Sequence, residues 1–210
     1  GLVRDITERK RAEEVRSLLV GELNHRIKNT LANVQAIARQ GLRRSGDLAE
    51  FEQGFVGRLQ ALSRAHSILS DSTWSSAPLD QLIDDLIRVG TLDADRLRRS
   101  GPAVELTPDT MLRMALTLHE LATNAAKYGA LSAEAGRVSV DWSLSGEGTN
   151  ATFIFCWTER GGPPVAPPQR RGFGSFLVKQ MLAAEFGGEV SVDYPEEGVV
   201  CQLTCQRSER

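Results

Sequence analysis

The 210-residue sequence contains few cysteines and histidines, three of each. Cys156, Cys201 and Cys205 form no CxxC pair and have no histidine at zinc-ligand spacing, which argues against a zinc site. We interpret them as reduced thiols of the core. An excess of one charge is also lacking, because the formal net charge is −2. A nucleic-acid partner is therefore not expected, since such surfaces usually carry clustered Lys and Arg.

Long apolar runs are missing as well. No run approaches the ~20 residues that span a bilayer, and the first residues lack the regions of a secretory signal. These absences predict a cytoplasmic protein without a direct membrane segment. The sequence begins at Gly1 rather than Met, so we expect a piece of a longer protein. Its 41% hydrophobic and 25% charged residues suffice for one or two domains with a sizeable core.

Apolar residues at helical spacing predict two long helices in the first third of the chain. The stripe of the first helix consists of Leu23, Ile27, Leu31, Val34 and Ala38. The stripe of the second consists of Phe51, Phe55, Leu59, Leu62, His66 and Leu69. The polar "RRSGD" between them predicts a short turn, and thus an antiparallel hairpin. The Ser-rich segment from Ser72 to Pro78 predicts a linker to a second domain.

The rest of the chain alternates helical and strand patterns. Predicted helices cover Leu79–Val89, Pro108–Tyr128 and Ser175–Phe186. Predicted strands cover Ala103–Leu106, Arg137–Leu144, Thr152–Trp157, Glu189–Asp193 and Val199–Gln206. The expected fold class is α+β, with an N-terminal antiparallel helical hairpin followed by an α/β sandwich of a mixed sheet covered by helices.

Two helical segments carry residues suited to chemistry. His25 lies two residues past Leu23, about 200° around the helix, so its imidazole should be exposed. It is either a solvated polar residue or a nucleophile, because a neutral imidazole has a lone pair near pH 7. Glu120, Asn124 and Lys127 follow at steps of four and three on one polar face. They suit Mg²⁺ with phosphate oxygens, although a solvated helix face would look the same.

Two glycine-containing segments are each weak indications. In "CWTERGGPPV", Glu159 at a strand end suits an exocyclic amine, while the glycines let backbone approach a flat ring. In "RRGFGSFLVKQ", Gly172 and Gly174 precede a helix whose N-terminal amides suit a phosphate. Plain turns would look similar.

In this order the four segments resemble the sensor histidine kinases, in particular the HWE subfamily, over about residues 15–206. "HRIKNTLANVQAIA" is similar to the phosphoacceptor box and "HELATNAAKYGALS", with His119, to the nucleotide-binding N box. "WTE", Trp157 to Glu159, is similar to the other signature, and "GFGSFLV" to the last glycine box. The opening "DITERKRAEE" is similar to the tail of a PAS sensor domain.

The resemblance implies a kinase of three parts. Residues 1–14 would be a connecting helix from an upstream PAS-like sensor domain, residues 15–72 a dimerisation and histidine phosphotransfer hairpin, and residues 77–210 a Bergerat-type ATP-binding domain. It implies autophosphorylation from Mg-ATP and transfer to an aspartate of a response regulator receiver domain. We also expect a homodimer, because such hairpins usually pair into four-helix bundles.

The resemblance also implies roles for single residues. His25 would accept the phosphoryl group, Asn124 would bind Mg²⁺, and Glu159 would bind the adenine amine. The catalytic set is His25, Asn29 and Glu120. The nucleotide-binding set is Asn124, Lys127, Tyr128, Glu159, Gly161, Gly162, Gly172, Gly174 and Ser175.

Departures from the wider histidine-kinase pattern leave two questions. Arg26 follows His25 where most such kinases have an acid, so the general base stays open, with Asn29 suited to orient the imidazole and Glu22 nearby. Pro163 stands where a second glycine is usual, so the shape of the adenine-binding loop stays open. The alternatives are a Bergerat-type ATPase or serine kinase, and a non-catalytic module that docks response regulators and binds ATP poorly.

Overall fold

Contacts between residues group the chain into two units, Gly1–Phe55 and Val56–Arg210. The computed structural model describes residues 13, 21, 27–43, 45–72, 74–146, 151–165 and 188–206. The boundary between the units falls inside the helix Leu48–Asp71, whose C-terminal part therefore packs with the second unit. The domain limits inferred from the sequence, 15–72 and 77–210, stay predictions.

The first unit contains helix α1, which covers residues 27–43, and the start of α2 (Leu48–Asp71). The amide of Glu50 donates to the Asp47 carboxylate (2.8 Å), and the Glu50 carboxylate accepts from the Gly46 amide (2.6 Å). The first bond satisfies an amide that the first turn of a helix leaves unpaired, and the second attaches the residue before Asp47 to the same turn, so α2 has a clear starting point. Gly41 lies so close to Phe51 that a side chain there would meet the ring.

The second unit combines helices with two sheets. Its elements after α2 are, in chain order, β1 (Ala77–Pro78), α3 (Leu79–Arg88), β2 (Leu97–Ser100), β3 (Glu105–Leu106), α4 (Pro108–Lys127), β4 (Arg137–Ser145), β5 (Thr152–Arg160), β6 (Glu189–Asp193) and β7 (Val200–Gln206). Strands β1 and β3 form a small antiparallel pair. The main sheet has the order β2-β4-β5-β7-β6, with β2 and β4 parallel and the other neighbours antiparallel. The predicted mixed sheet of an α+β fold is confirmed.

The core follows from the alternation of side chains along the central strands. On β5, Phe153, Phe155 and Trp157 are buried and the residues between them are partly exposed, as expected when successive side chains point to opposite faces. Eleven of the 20 residues of helix α4 are buried, so most of its apolar side chains lie in the core. Thr107 caps it, and Pro108 occupies its first turn, where no amide partner is lost.

The predicted elements that fall within the described residues of the second unit are of the predicted kind and differ mainly at their ends. The bounds of β6 are as predicted, whereas β5 continues beyond the predicted Trp157 to Arg160, so that Glu159 is its next-to-last residue. The sequence pattern missed β2, because this short edge strand is mostly exposed and carries no apolar alternation. The helix predicted for Ser175–Phe186 lies outside the described residues. No helix in the described ranges is long and apolar enough to cross a membrane.

Arg96, directly before β2, holds the segment that follows α4. Its guanidinium donates to four backbone carbonyls, those of Ala130 (3.2 Å), Leu131 (3.3 Å), Ala133 and Gly136 (3.0 Å). A planar group with five N–H donors can serve several acceptors at once, which an ammonium group cannot do with the same geometry. Arg96 therefore fixes the path of residues 130–136.

We expect Arg96→Met to lower the free energy of unfolding by about 1–3 kcal/mol, because buried carbonyls lose their donors. Urea denaturation followed by circular dichroism measures this. Arg98→Met is the control, since Arg98 lies two residues further on and is exposed on β2, and its replacement should change stability by less than about 0.5 kcal/mol. Equal losses in the two variants would show that the four carbonyl contacts contribute nothing.

Candidate functional site

A buried carboxylate forms the centre of the candidate site. Glu159 is only 1% exposed, and both of its oxygens accept hydrogen bonds. The indole Nε1–H of Trp157 donates to Oε1 (3.1 Å), and the backbone amide of Ala130 donates to Oε2 (2.8 Å). Trp157 and Glu159 are two residues apart on β5 and thus share one face of the sheet. We call Trp157, Glu159 and Ala130 the Glu159 cluster.

Opposing effects act on the pKa of the Glu159 carboxyl. Burial raises the pKa, whereas the hydrogen bonds from the Ala130 amide and the Trp157 indole lower it, and the net result is a raised pKa. An ionised carboxylate has about four lone-pair positions, of which two are used here. The cluster therefore retains acceptor capacity for a further donor such as an amine.

Glycines allow backbone to pack closely around this cluster. A side chain at Gly129 would overlap the Glu159 carboxylate, and one at Gly162 would overlap Ala130. Gly161 has φ +75°, a conformation that glycine adopts at little cost, and it packs against Ala135. Two of the predicted nucleotide-binding glycines, Gly161 and Gly162, thus lie beside the segment that supplies a donor to Glu159.

The last turn of α4 presents polar side chains next to the cluster. Asn124 and Lys127 are exposed, and Tyr128, which caps the helix, is 69% exposed. Gly129 and Ala130 follow directly, and the Gly129 amide donates to the Asn124 carbonyl (3.0 Å). The structure therefore brings an amide, an ammonium and the Glu159 cluster to one end of α4.

Glu120 does not share this exposed face, and its predicted place there is wrong. It is 6% exposed because α2 covers it, and its carboxylate accepts from Arg58 Nε (2.7 Å) and Nη2 (3.2 Å). Sequence spacing alone missed Arg58, since it lies 62 residues away on another helix. The arrangement is a buried ion pair joining α2 to α4 within the second unit.

The neighbouring His119 is also directed toward α2. A side chain at Gly57 would meet the imidazole Nε2, so the ring lies against that glycine. Its buried Nδ1 has no hydrogen-bond partner among the residues described. Burial, followed by the positive charges of Arg64, Arg58 and Lys127, lowers the pKa of His119 to about 4. The imidazole is therefore neutral near pH 7.

For the other predicted site residues the structure gives little or no geometry. Asn29 is exposed on α1, whereas His25, Gly172, Gly174 and Ser175 lie outside the described residues. In the part of the chain that is described, no three His, Cys, Asp or Glu side chains gather as a metal site.

The sequence reasoning missed the two donors to Glu159. The signal for Trp157 was present, because a tryptophan and a glutamate two apart in a strand pattern must share a face. The Ala130 amide gave no signal, since it comes from a turn 29 residues earlier in the chain.

Comparisons with known proteins agree on one family. The profile of the HWE histidine kinases matches residues 22–103. Blue-light-activated histidine kinases of Brucella ovis and Brucella anthropi are each 38% identical to the chain over 204 residues, which is 97% of this chain. The chain spans 42% of the length of these relatives.

Solved structures show a similar fold. The histidine kinase domain of an Erythrobacter litoralis blue-light-activated histidine kinase matches with a TM-score of 0.54 and 14% identity, covering 83% of this chain and 94% of that domain. A longer structure of that kinase matches with a TM-score of 0.59 and 17% identity, covering 87% of this chain and 60% of that one.

We predict that Arg58→Met lowers the free energy of unfolding by roughly 3–5 kcal/mol, because Glu120 is left buried without its counter-ion. The double variant Arg58→Met with Glu120→Leu should recover most of this loss, since no charge then remains buried. Urea denaturation of the two single variants and the double variant gives the coupling free energy. Strictly additive losses would contradict a coupled pair.

The lowered pKa of His119 predicts a pH-dependent stability. The unfolded chain binds a proton near pH 6.5 and the folded chain only near pH 4, so stability is complete above 6.5 and falls as the pH drops toward 4. The loss amounts to at most about 3 kcal/mol. In His119→Gln this part of the slope should vanish when unfolding is measured between pH 7 and 4.5. A difference between variant and wild type that stays constant over this range would contradict the assignment.

Proposed function

Because the chain belongs to the HWE histidine kinase family, we propose that it transfers the γ-phosphoryl group of ATP to His25 and then to an aspartate of a response regulator. The observation that supports this most is the meeting of the Glu159 cluster with the exposed Asn124 and Lys127 at one end of α4. An acceptor for a base, an amide for a metal and a cation for phosphate are the three elements that a nucleotide site needs.

The Glu159 cluster suits adenine. A carboxylate that is kept in place by two donors accepts a hydrogen bond from the exocyclic amine, while a ring with a carbonyl at that position would face another acceptor. Gly161 and Gly162 keep side chains away from the adjacent backbone. We therefore assign the base to β5 and the segment after α4.

The phosphates would lie along the last turn of α4. Lys127 is exposed and would contact a phosphate oxygen, and Asn124 would supply an amide oxygen to Mg²⁺. When bound, Mg²⁺ neutralises part of the phosphate charge. Gly172, Gly174 and Ser175 complete the proposed phosphate contacts by resemblance to the family.

His25 would act as the nucleophile. A neutral ring nitrogen attacks the γ-phosphorus, the N–P bond forms, the bond to the β–γ bridging oxygen breaks, and ADP leaves. The positive charge of Arg26, the next residue in the sequence, would favour the neutral imidazole that this attack needs. Asn29 would orient the ring. Since Glu120 is buried and paired with Arg58, we assign it a structural role rather than the catalytic one that the resemblance implies.

Partners follow from the proposed phosphotransfer. The acceptor is the receiver domain of a response regulator, and an upstream PAS-like sensor domain would supply the signal. A second copy of the chain would cover the apolar residues Ile27 (48% exposed) and Leu31 (56% exposed) of α1 in a homodimer. Blue light is the stimulus in the names of the relatives, and a photosensor is therefore one candidate for the upstream part.

Incubation with γ-labelled ATP should label the chain, and the label should be lost in acid and stable in base, as is typical of phosphohistidine. His25→Ala should abolish labelling while ADP still binds, because the nucleophile is separate from the nucleotide site. Asn124→Ala should reduce both labelling and nucleotide affinity.

Three results would contradict the assignment. Label retained in His25→Ala excludes His25 as the acceptor. Acid-stable label, or phosphate release without labelling, indicates a serine kinase or an ATPase. Absence of nucleotide binding in the wild type indicates a docking module.

A further inference from the structure

Trp157 is the largest fully buried side chain of the chain's described core, and its one polar atom is directed at a charged group. Its indole N–H donates to Glu159 Oε1 at 3.1 Å. A buried tryptophan usually finds some acceptor for this N–H, and a backbone carbonyl would suffice. Trp142 on the neighbouring strand β4 shows that simpler case, because its indole N–H donates to the Pro102 carbonyl (2.7 Å).

The two donors to Glu159 together restrict both the position and the rotation of its carboxylate. The terminal torsion of a glutamate has a broad energy minimum, so a single hydrogen bond leaves the carboxylate plane poorly defined. The Ala130 amide holds Oε2 and the Trp157 indole holds Oε1, and together they fix both the position and the plane of the group. The remaining lone pairs then have fixed directions.

We propose that Trp157 is a positioning residue that determines selectivity for 6-aminopurine nucleotides by fixing the carboxylate of Glu159. Trp157 does not itself touch the nucleotide. Its effect is transmitted through the carboxylate plane to the exocyclic amine of the base. This inference rests on the proposed function, since it presupposes that Glu159 accepts from that amine.

Electrostatics support the same role. Burial raises the pKa of Glu159, and the indole hydrogen bond counteracts this by stabilising the ionised form. An ionised carboxylate accepts on every lone pair, whereas a protonated one presents a donor on one oxygen. The indole therefore favours the state of Glu159 that discriminates an amine from a carbonyl.

The test compares two nucleotides that differ only in the amine. ADP and purine riboside 5′-diphosphate, which lacks the 6-amino group, are titrated with Mg²⁺ into the full 210-residue chain by calorimetry. For the wild type we expect a preference for ADP of roughly tenfold or more, the usual contribution of a hydrogen bond to a charged group. In Trp157→Phe this preference should fall at least about threefold, because the acceptor is no longer fixed.

Trp142→Phe is the matched control. The substitution removes the same ring atoms and one indole hydrogen bond from the adjacent strand. The indole N–H of Trp142, however, donates to the Pro102 carbonyl and not to Glu159. We expect its preference for ADP to equal that of the wild type, even if its stability is lowered. If Trp157→Phe does not fold, benzothienylalanine placed at position 157 keeps the ring shape and lacks the N–H, and the same reduced preference is expected.

The possible outcomes distinguish a failure of the proposed function from a failure of the role of Trp157. A wild type that binds neither nucleotide contradicts the proposed function. A wild type that prefers ADP, with variants at position 157 that keep the full preference, overturns the role of Trp157 and leaves the proposed function standing. Equal weakening of both nucleotides at position 157 shows a purely structural tryptophan and also overturns it.

Discussion

The need to satisfy a buried carboxyl group, that of Glu159, connects the main sheet of the second unit to the end of α4. A carboxylate removed from water is costly unless it is hydrogen-bonded, and Glu159 is almost fully buried. Its two donors come from different parts of the chain, the Trp157 side chain on the same strand and the Ala130 amide after α4. Satisfying this one group therefore connects the sheet to the end of the helix. Gly129 and Gly162 lie at positions where a side chain would overlap Glu159 or Ala130 and so prevent this connection.

Two further sets of interactions stabilise this connection between the sheet and α4 without contacting Glu159. Arg96 binds four carbonyls of residues 130–136, so the segment whose amide reaches Glu159 is fixed at both ends. On the middle of α4, the buried pair of Glu120 with Arg58 attaches the helix to the C-terminal part of α2. Helix α4 thus exposes Asn124 and Lys127 at its end. It is attached to α2 through the Glu120–Arg58 pair and to β5 through the segment that follows it. Such anchoring suits the proposed nucleotide site, because a flexible triphosphate would have to be held there in one orientation.

Much of the fold followed from periodicity, because α4, β4, β5 and β7 each have a buried face with a clear repeat. Strand β2 did not, since it is an exposed edge with little apolar content. For the proposed site, local motifs predicted Glu159, Asn124 and the adjacent glycines, and the structure places Glu159 beside the segment that follows α4. Long-range partners were not predictable, because nothing in the spacing of "HELATN" indicates that an arginine 62 residues earlier covers Glu120. Exposure of a polar residue depends on which element packs over it, and that is a tertiary property.

The central claim is that the Glu159 cluster is where the nucleotide base binds. The three indole N–H groups, those of Trp74, Trp142 and Trp157, should give separate NMR signals, and the signal of Trp157 would report directly on the hydrogen bond to Glu159. Titration of the ¹⁵N-labelled chain with Mg-ADP should shift the Trp157 indole signal strongly while that of Trp142, bonded to Pro102, changes little. An unchanged Trp157 signal at saturating nucleotide would contradict the account.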